Sequence, residues 1–150
     1  MKKILFVCTG NSCRSIMAEA YLKKRVAEEK IECEVMSAGT FAPEGNPPPG
    51  SVIRLLEEEG IEADGYAAKP LTVRLIDWAD MILVMEDAHK EKVLKMRSEA
   101  AGKVRLLGEL DKDREENHIE DPIGMPLDFY RLSFKTIKKP IEELIKWLKK

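Results

Sequence analysis

Ile4, Leu5, Phe6 and Val7 form an unbroken apolar run, short and β-rich enough to predict a strand buried on both faces. The period then changes. Ala18, Leu22 and Val26 recur at helical spacing, with Met17 and Tyr21 alongside, so a helix follows. Glu32 to Ser37 alternates polar and apolar residues and predicts a second strand ending at Ser37-Ala38-Gly39. Residues 40–50, with Pro47-Pro48-Pro49, predict a long, stiff loop. Ser51 is expected to cap a helix with the apolar face Val52, Leu55 and Leu56, stopped by Gly60. Tyr66 to Leu71 reads as a connector, and Thr72 as the cap of a short helix through Trp78. Asp80 to Met85 holds a third strand, doubly buried, followed by a helix over Asp87–Met96 and a fourth strand over Val104–Leu107. After the charged loop Asp111–Glu120, the stripe Leu127, Tyr130, Phe134, Ile137, Ile141, Leu144, Leu148 keeps phase across Pro140, predicting one kinked helix.

Strands alternating with helices imply an α/β protein: a single doubly wound domain over residues 1–150, its four-stranded parallel sheet covered by helices on both faces. In such a fold the loop Cys8–Ser15 lies at a strand's carboxyl end, where backbone N–H groups and a helix N-terminus can gather around an anion. It opens with a nucleophile, Cys8, and nearly ends with a guanidinium, Arg14. A thiolate at Cys8 would attack phosphorus in line while the amides and Arg14 hold the equatorial oxygens. Arg suits this because its planar fork binds two oxygens at once. A helix N-terminus and a nearby cation favour the thiolate. Ser15 can donate to the sulfur, and Gly10 with Asn11 lets the loop curl.

Val-Cys-Thr-Gly-Asn-Ser-Cys-Arg-Ser followed by Met-Ala-Glu-Ala resembles the signature of the low-molecular-weight protein tyrosine phosphatase family. The resemblance extends along the whole chain and implies its small doubly wound fold. It departs at Ile16, where the family usually starts the helix with Pro. It implies that Cys8, Arg14 and Asp121 are catalytic, with Asp121-Pro122 standing where the family's acid loop falls, and that Thr9, Gly10, Asn11, Ser12, Cys13, Arg14 and Ser15 bind phosphate. Ser37 matches a strand-end serine that would brace Asn11. Tyrosine-cleaving members usually carry a branched aliphatic residue at the Ser12 position and aromatics after Asp-Pro. Here Ser12 with Thr9, Phe41 in Ser-Ala-Gly-Thr-Phe-Ala, and Asp-Pro-Ile123-Gly resemble the bacterial protein-arginine phosphatases of the same family. Ser12, Phe41 and Ile123 are therefore the expected substrate-selecting residues. Cys13, five residues after Cys8, is the expected redox partner of the nucleophile.

Composition narrows the partners. The net charge is −2 although 35% of residues are charged, so no basic bias points to nucleic acid or an anionic membrane. No transmembrane stretch or sustained secretory start is present, and Cys8, Cys13 and Cys33 read as reduced cytoplasmic thiols. Phosphorylated proteins are the expected partners, and a monomer without metal or cofactor is expected. Arsenate reduction would need further cysteines in the middle of the chain, and residues 80–100 have none. A phosphocysteine carrier would leave Arg14 and Asp121 redundant; a non-catalytic phosphate-binding module is the remaining rival. Other residues receive plainer readings. His89 is expected at the surface or as a helix cap, Asp128 in a first helical turn, Cys33 as a small buried residue, and Trp78 and Trp147 as packing.

Overall fold

The computed structural model describes residues 1–150. Four parallel strands, β1 (Lys2–Cys8), β2 (Cys33–Gly39), β3 (Met81–Val84) and β4 (Val104–Leu106), lie in the order β2-β1-β3-β4. Five helices join them: α1 (Arg14–Glu28), α2 (Gly50–Glu58), α3 (Val73–Trp78), α4 (Asp87–Met96) and α5 (Leu127–Leu148). Short 3-10 turns at Ser98–Lys103 and Leu107–Leu110 flank β4.

The pleat of β1 divides the core in two. Ile4, Phe6 and Cys8 face α1, α2 and α5, where Met17, Leu22, Leu56, Phe134 and Ile137 close the larger layer. Leu5 and Val7 face α3 and α4 and pack with Ile76, Val93 and Leu106. Because β1 is covered on both sides, its four central residues are all apolar and fully buried. The chain leaves β1 toward β2 on one side and β3 on the other, so the loop after Cys8 sits at the switch point of the sheet.

The expected elements are present, with three local differences. Cys8 is the last residue of β1, and Arg14 and Ser15 already belong to α1, so the true loop is only Thr9–Cys13. The cap of α2 is Pro49, one residue before Gly50, and Ser51 lies inside the helix; a proline just before the first turn presets the entry without a side-chain cap. Cys33, expected to be buried, is half-exposed at the start of the edge strand β2. Thr72 does cap α3, accepting from the Leu75 N–H at 3.1 Å. The helix α5 runs unbroken through a buried Pro140. It is held to α1 by edge-to-face packing of Tyr21 on Phe134 at 6.0 Å and by the Arg25 fork on Glu142 at 2.7 and 2.9 Å. Trp147 is 44% exposed and lies under the Lys2 ammonium, so it packs only on one side. No helix is long and apolar enough to cross a membrane.

Candidate active site

The loop after β1 is held from below by a hydrogen-bonded chain that begins at Asn11. This residue takes φ +50°, a left-handed conformation that Asn tolerates better than most side chains. It is fully buried and satisfied at both ends of its amide: Nδ2 donates to Ser15 Oγ at 2.8 Å and Ser37 Oγ at 2.9 Å, while Oδ1 accepts from the Lys69 N–H at 2.9 Å. Ser37 therefore braces Asn11 and passes its own hydrogen to Glu19 at 2.5 Å, itself paired with Lys23. Ser15 Oγ, already an acceptor from Asn11, lies 2.8 Å from Cys8 Sγ. Its hydrogen is the one left to point at the sulfur, which fits a thiolate as acceptor. The helix α1 starts without a side-chain cap, so its first-turn N–H groups face the loop unclaimed by side chains.

A second feature is the close approach of β2. Thr40 N–H donates to the Cys8 carbonyl and Phe41 N–H to the Thr9 carbonyl, both at 2.9 Å, extending the sheet ladder past the strands. A Cβ on Gly39 would come within 2.4 Å of the Thr9 carbonyl oxygen and 2.9 Å of the Asn11 nitrogen, so only glycine fits there.

Arg14 is 1% exposed. Its Nη1 donates to Glu86 Oε2 at 2.5 Å and to the Ile119 carbonyl at 2.7 Å, and its Nη2 lies 3.6 Å from Asp121 Oδ2. Burial works to raise the Glu86 carboxyl, but the Arg14 hydrogen bond and charge prevail and hold it below the usual range. Asp121 is exposed and fixed by the Ile123 N–H, which donates to Oδ1 at 3.1 Å. Loop Asp111–Glu120 is irregular as expected, yet its Ile119 is fully buried and ties to Met85 through a backbone bond of 2.9 Å.

The predicted residues thus divide into three groups. Cys8, Asn11, Cys13, Arg14 and Ser15 are buried, with Asn11, Arg14 and Ser15 tied into the loop or its supports by hydrogen bonds. Thr9, Gly10 and Ser12 face outward to differing degrees. Phe41 and Ile123, 84% and 53% exposed, touch the site through backbone bonds, while their side chains stand in solvent. Cys13 packs into the core beside Ser12, and burial pushes its thiol up to about 11. Asp128 stands in the first turn of α5, outside these contacts.

Sequence reasoning missed Glu86 and gave His89 only part of its role. Glu86, the partner of Arg14, is the N-cap of α4 and stands two residues after the last residue of β3; an acidic residue just past the carboxyl end of the neighbouring strand was the available signal. His89, expected at the surface or as a helix cap, is only 2% exposed. Its Nδ1 does serve the cap, accepting from the Glu86 N–H at 3.1 Å, but its Nε2 reaches Thr9 Oγ1 at 2.8 Å. Burial and the Arg14 charge push its pKa down to about 4.

A thiol and a guanidinium around one loop at the switch point of a parallel sheet, with a carboxylate opposite, define a cysteine-based, phosphate-handling class of α/β protein. Comparison with known proteins takes this further. The sequence model described as "Low molecular weight phosphotyrosine protein phosphatase" matches residues 3–150, and the chain belongs to that family. It is 37% identical over 142 residues to a protein-arginine-phosphatase of Geobacillus stearothermophilus, covering 95% of this chain and 93% of that one. Its structure is similar to that of the YwlE arginine phosphatase, in a cysteine-to-serine variant with a phosphorylated active-site serine: TM-score 0.92, 32% identity, 99% and 96% of the two chains covered. It is also similar to a low-molecular-weight protein tyrosine phosphatase from T. tengcongensis, with TM-score 0.91, 35% identity and 97% and 99% coverage.

The approach of β2 generates a prediction. Gly39→Ala has to displace the Thr9 carbonyl, and a shift of that order in a phosphate-holding loop costs about 10²-fold in kcat/KM. Far-ultraviolet circular dichroism should show the fold retained while vanadate affinity falls in parallel; near-native kcat/KM in Gly39→Ala would refute the steric argument.

Proposed function

We propose that this chain is a metal-free protein phosphatase that hydrolyses phosphorylated side chains through a phosphocysteine intermediate, with phosphoarginine favoured. What carries the reading is the placement of Cys8 Sγ against Ser15 Oγ at 2.8 Å beside an Arg14 anchored at one edge and turned toward Asp121 at the other. In this reaction Cys8 Sγ attacks phosphorus, the bond to the leaving nitrogen or oxygen breaks, and Asp121 gives that atom its proton. Arg14 and the amides of the loop and first helical turn hold the three equatorial oxygens throughout. Asp121, now a carboxylate, then takes a proton from water as it attacks the phosphocysteine, releasing phosphate and restoring both groups. The phosphorylated active-site serine of the YwlE variant supports covalent transfer at the Cys8 position. We place the reaction in the cytoplasm, where Cys8 stays reduced, and assign the activity to a monomer.

Phosphoarginine is favoured because Ser12 and Thr9 offer hydroxyl groups beside the loop, where a phosphorylated guanidinium presents N–H donors that an apolar wall would leave unpaired. The arginine-phosphatase relative supports this choice. Phosphotyrosine is the second reading. It is favoured by the similarity to the tyrosine phosphatase from T. tengcongensis.

Asp121→Asn should lower turnover on a poor leaving group by about 10²–10⁴-fold while vanadate still binds; unchanged turnover in a folded variant would remove Asp121 from the reaction. On matched peptides, kcat/KM should be higher for phosphoarginine than for phosphotyrosine, and Ser12→Ile should narrow or invert the ratio. A wild-type preference for phosphotyrosine that Ser12→Ile leaves unmoved would reverse the choice of substrate. Cys13 is the proposed resolving thiol for an oxidised Cys8. Its raised pKa means that disulfide formation after mild peroxide treatment should quicken as pH rises. Peptide mapping that finds only overoxidised Cys8, with Cys13 free, would sink that role.

A further inference from the structure

The helix cap at the start of α4 does more than end-cap a helix. His89 Nδ1 accepts a hydrogen from the Glu86 N–H and therefore carries none of its own. In a neutral imidazole the proton then sits on Nε2, which faces Thr9 Oγ1 at 2.8 Å as donor. The charged and titratable groups around the ring are Arg14, Glu86, Asp121 and His118; burial and the Arg14 cation keep the imidazole neutral across the physiological range. Protonation would set a second N–H against that of Glu86.

The capping role needs Nδ1 alone. Nothing in the cap requires that Nε2 reach a residue 80 positions away in sequence. Thr9, moreover, is exposed, unlike the buried Cys8, Asn11, Cys13, Arg14 and Ser15 around it. Gly10 has no side chain, so the exposed Thr9 and the half-buried Ser12 are the hydroxyl-bearing residues of the loop. Phe41 is bonded to the Thr9 carbonyl.

We infer that His89 is a positioning residue for substrate selection: its Nε2–H fixes the Thr9 hydroxyl at the mouth of the phosphate loop as a polar contact for a nitrogen leaving group. One lone pair of Thr9 Oγ1 is taken by His89, which leaves one lone pair and one hydrogen with defined directions. That pair accepts a guanidinium N–H. A phenyl ring offers no such donor and must instead lie against a hydroxyl that is held in place. The same capping turn thereby holds both ends of the loop, Thr9 through His89 and Arg14 through the Glu86 carboxylate.

This inference rests on the substrate reading above, and its test separates the two. The quantity read is the ratio of kcat/KM for matched phosphoarginine and phosphotyrosine peptides, because loss of folded protein lowers both rates and leaves the ratio unchanged. His89→Asn places an amide oxygen where Nδ1 accepts the cap hydrogen bond but does not reach Thr9. His89→Gln places an amide N–H where Nε2 stands. Thr9→Val and His89→Asn should each lower the ratio about fivefold to tenfold, the worth of one hydrogen bond. Thr9→Val combined with His89→Asn should lower it no further, and His89→Gln should keep it within about twofold of wild type. A ratio unchanged in His89→Asn, a loss in His89→Gln equal to that in His89→Asn, or a double variant showing the product of the two single losses would each overturn the role of His89. A wild-type preference for phosphotyrosine would instead overturn the substrate reading, with the changes in ratio still reporting on His89.

Discussion

An arginine buried to 1% exposure is the constraint that organises the rest of this protein. An uncompensated charge at such depth costs several kcal/mol, so Arg14 can stay only where fixed acceptors surround it. Glu86 and the Ile119 carbonyl provide them, from the end of β3 and from the irregular loop that leads to α5. Three segments far apart in sequence are thereby tied at one point. Fixing one edge of the guanidinium also fixes the direction of the other, which is turned to Asp121 and is the edge we propose meets the phosphoryl group. Stability and pre-organisation thus come from the same contacts, since donors already aimed at the developing charge need no reorientation during reaction.

Asn11 performs the complementary task on the uncharged side of the loop. Its amide spends both hydrogens and its oxygen within the protein, which is the most economical way to satisfy a buried side chain in a left-handed turn. The direction of these bonds matters. With Asn11 donating to Ser15, the serine hydrogen is free for Cys8, so the polarity of the network runs toward the nucleophile. Gly39 brings β2 close enough for the ladder to continue through Thr40 and Phe41, and this places an exposed aromatic side chain at the rim.

The site therefore has a rigid floor and a variable rim. The floor, made of Cys8, Asn11, Arg14, Ser15 and their partners, is buried and hydrogen-bonded, and in the proposed reaction it would hold the phosphoryl group common to any substrate. The rim, made of Thr9, Ser12, Phe41 and Ile123, is the part that in the proposed reaction would meet whatever lies beyond phosphorus. Rim contacts are worth a few kcal/mol at most, so substrate class can change with one or two side chains while the chemistry beneath stays constant. His89 connects the two levels, because it is buried with the floor and bonded to the rim.

Much of this was legible in the amino-acid sequence. Apolar runs and periodicities gave every strand and helix to within a few residues, including α5 across Pro140, because burial on one or two faces imposes its own spacing. Cys8 and Arg14 stood out as candidates because they share one short loop, and Asp121 because the family resemblance points to an Asp-Pro turn just before the last helix. Local pattern, however, says nothing about which distant groups satisfy a buried one. Nothing in the sequence singled out Glu86, and the capping role expected of His89 gives no hint of its reach to Thr9. Cys33 looked buried because alternation marks the face of a strand and not its place at the edge of the sheet. The sequence determined the elements and the reactive groups, since these depend on neighbours within a few residues. Only the tertiary structure decided how Arg14 is held and what fixes Thr9, through contacts 72 to 105 residues apart, and which way the Ser15 hydrogen points, through an Asn11 amide held by Ser37 and Lys69, 26 and 58 residues away.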